Sequence, residues 1–392
     1  MSKQPIEEKN ISSHNGIFTK HNSVWDGIAL MMCGTIGAGI LGLPYVISKV
    51  GVILGVFLIV FLGVIMIGLN MLIGDVVSVS NEKFQLVGLA KKYLGKWGEF
   101  SMAVVMYSVL FGVLVVYMIG VGEILSHFFG GEVFNWSIGF FCLGILMIYI
   151  GIRTVKVIEL FLTFLILGVV LVLTLLSVPY IQFPQITYVD LSKILLPYGV
   201  ILFAFHGTTA VPEVYSILSH KKEGFKQALL FGGMSTMVLY LLFSLVVVGV
   251  TGIGTTEIAT FGLGEVVGQR VFLFGNVFAL LAMSTAFLMT GLSLRDSFCW
   301  DYKIKTFPAT VLVAIVPLII YIGGLRSFMD AIDLVGGVFI SLEVFLLLLI
   351  YWKAKIRGHI HGRSVVKHGW FFVAIIAFAV ALGTLYNIMN LF

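Results

Sequence analysis

Two stretches of this sequence place helix-breaking residues in the middle of strongly apolar runs. The first reads Gly34-Thr35-Ile36-Gly37-Ala38-Gly39-Ile40-Leu41-Gly42-Leu43-Pro44; the second reads Phe203-Ala204-Phe205-His206-Gly207-Thr208-Thr209-Ala210-Val211-Pro212-Glu213. Glycine costs about 1 kcal/mol and proline about 3 kcal/mol in a helix interior, so both runs predict a helix that unwinds. Gly39 precedes Pro44 by five positions, and Gly207 precedes Pro212 by the same five. Each proline is therefore expected in the first turn of a resumed half-helix, where its missing N–H does no harm. For either run alone, close helix packing at glycine and a simple proline kink would serve as well; it is the pairing that favours two breaks. Unwinding frees backbone N–H and C=O groups, which are costly to leave unpaired in a low-dielectric place and which a ligand can satisfy. Amides around Gly37, Ala38, Gly39 and Ile40, at the positive end of a half-helix, suit a carboxylate. Carbonyls near Phe203 and Ala204, at a negative end, suit an ammonium group. Together they describe the backbone of an α-amino acid, with Phe205, His206 and Gly207 beside it.

A second set of residues could hold an ion. Ser284 and Thr285 stand side by side in an apolar run, and hydroxyl oxygens with freed carbonyls are hard ligands of the kind Na⁺ prefers. The same hydroxyls could equally bond back to carbonyls of their own helix. A proton is the rival ion. His206, Glu213 and Glu343 are the candidate carriers, because ionisable groups within membrane spans are functional candidates by default. His206 fits a substrate-site or proton-linked role and a structural donor role equally, and Glu213 could also be a first-turn carboxylate stabilised by the helix dipole. Glu123 and Glu159 are further intramembrane carboxylates, read as hydrogen-bond partners or interfacial groups. No nucleophile triad, P-loop or zinc-binding His pair occurs, so an enzyme is not expected. Cys33, Cys142 and Cys299 are too few for a disulfide framework.

The elements that must position these residues follow from composition. Of 392 residues, 59% are hydrophobic and only 11% charged. A soluble domain carries about 25% charged residues, so the surrounding solvent must be lipid. A bilayer core needs about 20 apolar residues per helix. Eleven segments qualify, near 24–49, 52–78, 100–126, 134–151, 157–178, 192–218, 227–252, 270–293, 307–324, 329–351 and 369–391. They lack the in-out alternation of a membrane barrel, which makes the chain an all-α polytopic membrane protein. With the N-terminus cytoplasmic, 20 of the 24 Lys and Arg residues fall on the cytoplasmic side; the excess of positive charge inside fixes that orientation and puts the C-terminus outside. The positive charge lies in short loops rather than on one face, so nucleic acid is not an expected partner. Residues 1–23 form a polar cytoplasmic tail. The stretch from Glu82 to Glu99 reads as an amphipathic helix on the cytoplasmic face. Thr255 to Gln269 is either a gating connector between spans 7 and 8 or an ordinary surface link.

The two broken helices are the first members of two consecutive groups of five, residues 24–178 and 192–351, with an eleventh span at 369–391. Five is odd, so the second group enters from the opposite face and the two groups form inverted repeats; matching interruptions in such repeats point to a transport site. The runs GTIGAGILGLP (Gly34 to Pro44), FAFHGTTAVPE (Phe203 to Glu213) and LAMSTAFLMTGLSL (Leu281 to Leu294) resemble the amino acid/auxin permease family of the amino acid–polyamine–organocation superfamily, and within it the bacterial tyrosine and tryptophan permease branch. The resemblance spans nearly the whole chain. It implies a leucine-transporter-type fold of five-plus-five inverted repeats, working by alternating access in the cell membrane. It also implies an amino acid as substrate and coupling to Na⁺ or H⁺, with no other cofactor; the lack of a mid-membrane Lys or Arg near the site favours a neutral or aromatic one. By the same resemblance the substrate side chain would pack on Tyr107 or Phe111, Phe205, Phe287 and Val338, and Na⁺ would sit between the carbonyls of Cys33 and Ile36 and the hydroxyls of Ser284 and Thr285. Proton-coupled relatives replace that ion with a lysine in helix 5, which has no counterpart here between Ile158 and Ser177. A sensor that binds an amino acid without moving it would use the same site.

Overall fold

The computed structural model describes residues 23–80, 85–151, 165, 168–182, 188–218, 221–360 and 369–391. The tail through Asn22 lies outside these residues, as does Glu159. Among the described residues the chain is helical, with no strand.

The first span is built from two half-helices. Helix α1 (Val24–Thr35) starts at a reciprocal capping box, in which the Ser23 amide donates to Asp26 Oδ2 over 2.9 Å and the Asp26 amide donates to Ser23 Oγ over 3.2 Å. It stops at Ile36, whose backbone is extended, and α2 (Gly39–Val50) resumes at an angle of 62°. Pro44 departs from expectation. It lies in the second turn of α2, because the helix restarts directly at Gly39 and leaves no linker before the proline.

Helix α3 (Val52–Val79) returns across the molecule. Helix α4 (Leu86–Phe129) is interrupted at Gly95, which takes a positive φ of 78°. The piece before Gly95 is shorter than the amphipathic helix expected over Glu82 to Glu99. It buries Leu86, Leu89, Ala90 and Tyr93, and Tyr93 Oη lies 3.3 Å from His359 Nδ1 near the distal end of the tenth span. Helices α5 (Val133–Ile150) and α6 (Gly168–Tyr180) follow.

The sixth span again comes in two halves, α7 (Tyr198–Ala204) and α8 (Ala210–Leu218), and here Pro212 does sit in the first turn of the resumed half. Helix α9 (Lys222–Thr251) leads to the connector, whose short helix α10 (Ala259–Val267) packs back on α11 (Gln269–Asp301). Helix α12 (Thr306–Ile322) precedes the tenth span, which runs as α13 (Phe328–Leu334), a π-helical segment at Val335–Ile340 and α14 (Ser341–Ile356). Helix α15 (Gly369–Leu391) is the last. A described helix therefore falls in each of the eleven expected segments. Among the described residues six helices are long and apolar enough to cross a membrane, and the bent pair α1/α2 adds a seventh. Exposed Phe57, Leu143, Leu175, Phe274 and Ile319 give the outer surface the apolar character that lipid contact requires.

Candidate functional site

The two breaks lie against each other, and glycine makes that approach possible. A Cβ on Gly39 would stand 2.6 Å from Ala204 Cα and 2.8 Å from Ala204 Cβ. Gly207 likewise has no room for a side chain against Thr35 and Met31. The breaks in spans 1 and 6 thus form one junction at the centre of the fold.

At the first break the Ile36 amide still donates to Met32 O, over 2.8 Å, and the Leu41 amide donates to Ala38 O, over 3.0 Å. Between them the amides of Gly37, Ala38, Gly39 and Ile40 have no acceptor among the described residues. They sit at the N-terminus of the twelve-residue helix α2, where the backbone dipoles favour an anion. Gly37, Ala38 and Ile40 line a cavity, and so do Cys33, Ile36 and Leu41; Gly39 does not. The opposite walls come from Tyr117 on α4, Val170 and Leu173 on α6, Phe243 on α9, Thr260 on α10 and a face of α11 that includes Phe278, Met283 and Thr285. None of the lining residues is charged. The Tyr117 hydroxyl reaches the break itself, 3.4 Å from where a Cβ on Gly37 would be. The chemistry is that of a neutral apolar pocket with hydrogen-bond donors gathered at one end.

The second break is arranged differently from expectation. The Ala204 carbonyl, one of the two assigned to an ammonium group, accepts from the Tyr240 hydroxyl over 2.8 Å, and the same hydroxyl lies 3.3 Å from Thr35 O. The Phe203 carbonyl accepts from the His206 amide over 3.3 Å. Unwinding did free these carbonyls from regular helical bonds, but neighbouring donors took them up, as buried polar groups require. Phe203, Ala204, Phe205, His206 and Gly207 do not line the cavity. The Phe205 ring is buried against Gly63 and meets Tyr240 edge-on at 5.1 Å.

His206 turns to the tenth span. Its Nε2 lies 3.0 Å from Glu343 Oε2, and Thr208 Oγ1 donates to Glu343 Oε1 over 2.7 Å. Glu343 is 1% exposed and the His206 side chain 14% exposed. Two of the three proton-linked candidates therefore meet in one buried cluster. Glu213 does not join them, because the start of α8 turns it outward, where it is exposed.

Side-chain positions read from the resemblance fare unevenly. Tyr107 lies ten residues before Tyr117, about 15 Å along the helix; it hydrogen-bonds Ser297 over 2.8 Å and packs on Phe298, away from the cavity. Phe287 is fully buried on another face of α11, against Phe140, Phe141 and Gly144. Of the four sodium candidates, Cys33, Ile36 and Thr285 line the cavity. Ser284 does not, and its hydroxyl donates to Leu280 O over 2.7 Å; Thr285 donates to Leu281 O and Ala282 O, each over 3.0 Å. Tyr117, Tyr240 and Thr208 escaped the sequence reading. A tyrosine in the interior of an apolar helix is the signal that could have found the first two, since a buried phenol seeks a polar partner.

Comparison with known proteins agrees with this architecture. Residues 20–386 match the model of the tryptophan/tyrosine permease family. The chain is 26% identical over 372 residues to the tyrosine-specific transport system 1 of Haemophilus influenzae, covering 85% of this chain and 88% of the relative. It is 24% identical over 365 residues to glutamine transporter 2 of Aliivibrio fischeri, covering 86% and 91% respectively. Among solved structures, MhsT in complex with L-phenylalanine superposes with a TM-score of 0.67 at 14% identity, over 93% of this chain and 98% of MhsT. A closed conformation of the nucleobase-cation-symport-1 family transporter Mhp1 gives 0.58 at 13% identity, over 94% and 91%. The fold is of the leucine-transporter type, and the chain belongs to the tryptophan/tyrosine permease family.

Proposed function

We propose that this permease is a secondary transporter of a neutral, apolar or aromatic amino acid, and that the substrate binds with its carboxylate at the break of the first span. The observation that carries the reading is the set of unpaired amides of Gly37, Ala38 and Ile40, residues that line an uncharged cavity together with Tyr117. A carboxylate there gains charge-assisted bonds from backbone donors that are otherwise unsatisfied. Apolar walls of Val170, Leu173, Phe243, Phe278 and Met283 then suit an apolar or aromatic side chain. The lining offers no side-chain amide or carboxylate to a polar substrate. An aromatic amino acid therefore fits better than glutamine, the substrate in the name of the second relative.

The protein works by alternating access between two inverted five-helix units, residues 24–178 and 192–351, in the cell membrane with its N-terminus in the cytoplasm; the distribution of Lys and Arg supports that orientation. Uptake is driven by Na⁺ or H⁺. Cys33, Ile36 and Thr285 would hold a sodium ion at the cavity edge, but Ser284 points elsewhere, so the expected donor set is one short.

The test is a binding screen of the twenty amino acids on purified protein, followed by uptake into proteoliposomes under an imposed ion gradient. Phenylalanine, tyrosine or tryptophan should bind and accumulate. Binding without accumulation under any gradient would make the protein a sensor, and no binding would remove the reading.

A further inference from the structure

We propose that the buried cluster of His206, Thr208 and Glu343 is where the coupling proton rides, and that its loss frees the unwound stretch of the sixth span to move. The inference rests on the transporter reading above and names its driving ion.

The unwound residues between α7 and α8 lack a regular helical ladder and are fastened to the tenth span by the cluster. Glu343 accepts from the Thr208 hydroxyl on one carboxylate oxygen, 2.7 Å away, and faces His206 Nε2 with the other at 3.0 Å; Thr208 Oγ1 and His206 Nε2 are 3.2 Å apart. Glu343 begins the α-helical part of the tenth span, three residues beyond the π-helical segment Val335–Ile340. Such segments recur at functional sites.

A tie made only for stability has no need of two ionisable groups. A buried ion pair is often no better than well-packed apolar residues of the same volume, and charge within a membrane span is costly. Other titratable side chains are carried by the surrounding elements: Asp75 on α3, Tyr117 and Glu123 on α4, Tyr198 on α7, Tyr240 on α9, Asp330 and Asp333 on α13, and Lys353 and Lys355 at the far end of α14. Among the described residues His206 and Thr208 are the side chains within hydrogen-bond distance of the Glu343 carboxyl.

The charge balance follows directly. With one proton between them, imidazolium and carboxylate, or imidazole and carboxylic acid, sum to zero. When that proton leaves the ring nitrogen or the carboxyl for water, an imidazole and a carboxylate remain with a net charge of −1. A dry site penalises that state, so the buried arrangement opposes loss of the proton. Release requires water at the cluster, and the partial exposure of His206 against the burial of Glu343 marks the histidine side as the way in. Water reaches Glu343 only if the unwound stretch moves, and that stretch packs on the end of α1, beside the first break, through Gly207 and Thr35. Proton release, movement of the sixth span and substrate affinity are thereby linked.

The experiment uses full-length protein in proteoliposomes with the membrane potential clamped at zero. A pH gradient of one unit should accumulate L-tyrosine about tenfold if one proton accompanies each molecule, and a pH-sensitive dye should report protons entering with it. Glu343→Gln is expected to bind and exchange L-tyrosine but not to accumulate it, and to lose the pH dependence of binding. Where that variant does not elute as a monodisperse species, His206→Gln carries the same expectation. Thr208→Val keeps both titratable groups but removes a hydrogen bond to Glu343, so the pH midpoint of accumulation should shift. Gradient-driven accumulation by Glu343→Gln, or an unshifted pH midpoint in Thr208→Val, overturns the proposal. Accumulation by the wild type that needs Na⁺ and ignores the pH gradient overturns it too, while leaving the transporter reading intact. If the wild type binds no amino acid, the transporter reading itself falls.

Discussion

Gly37 and Gly39 are two residues apart in the same break, yet alanine at each should have a different effect. At Gly37 a Cβ meets only the Tyr117 hydroxyl, at an ordinary 3.4 Å, and otherwise projects into the cavity. Its φ lies outside the left-handed region, so alanine carries no backbone strain there. Removing a glycine also lowers the entropy of the unfolded chain, which stabilises by about 0.4–1 kcal/mol at a compatible site. The new methyl group stands where a carboxylate would approach the free amides. A hydrogen bond to a charged group is worth about 1.5–3 kcal/mol, so losing one weakens binding by roughly tenfold to a hundredfold. Gly37→Ala should therefore unfold no earlier than the wild type in detergent, while isothermal titration with L-phenylalanine or L-tyrosine shows the weaker affinity. Unchanged affinity in a stable Gly37→Ala protein would refute the placement of the carboxylate, and a large drop in Tm would refute the claim that the position opens on empty space.

Gly39→Ala is the counterpart: its methyl group meets backbone of Ala204 at 2.6 Å, which no rotamer change relieves, so overpacking should cost about 1–3 kcal/mol, read as a lower Tm in the same assay. Tyr240→Phe removes the hydroxyl shared by the carbonyls of Thr35 and Ala204 and should destabilise by about 1–3 kcal/mol, measured by denaturation; an unchanged midpoint would show that water or another donor replaces it. Glu257 in the connector accepts from the Met329 amide over 3.2 Å, and burial, reinforced by Asp330, pushes its carboxyl above the usual range. Folding therefore favours the neutral acid, a contribution complete below pH 4.5 and lost as pH rises through the folded value. The Tm of the wild type should fall relative to Glu257→Gln, whose amide oxygen can still accept, as pH rises above 4.5; a constant difference would show that the group is not shifted.

Backbone features were far more legible in the sequence than side-chain directions. Apolar length located the spans, and glycine with proline located both breaks, because these signals depend on local conformational cost. Pro44 shows the limit: the spacing to Gly39 was visible, but where the helix would restart depended on the packing of Gly39 on Ala204. Which face of a helix meets the cavity is a tertiary matter. Tyr107 and Tyr117 look alike in an apolar run, and only the placement of α1, α2 and α11 around α4 decides between them. The pairing of His206 with Glu343 joins residues 137 positions apart. Each could be singled out as an ionisable group in lipid, but nothing local in the sequence brings them together.

The two breaks look symmetric in sequence, and their polar groups are used in opposite ways. In the first span the freed amides keep their bonding capacity, and those of Gly37, Ala38 and Ile40 belong to residues that line the cavity. In the sixth, Ala204 O is taken by Tyr240, Phe203 O by the chain's own turn, and the side chains of His206 and Thr208 by Glu343. A site whose donors are unpaired can gain from a ligand directly, whereas one already satisfied can respond only by exchanging its partners. On that ground we propose that the first break collects binding energy and the sixth responds to a change of charge. The contacts of Gly39 with Ala204 and of Gly207 with Thr35 join the two breaks, which is why a single methyl group at Gly39 should disturb both.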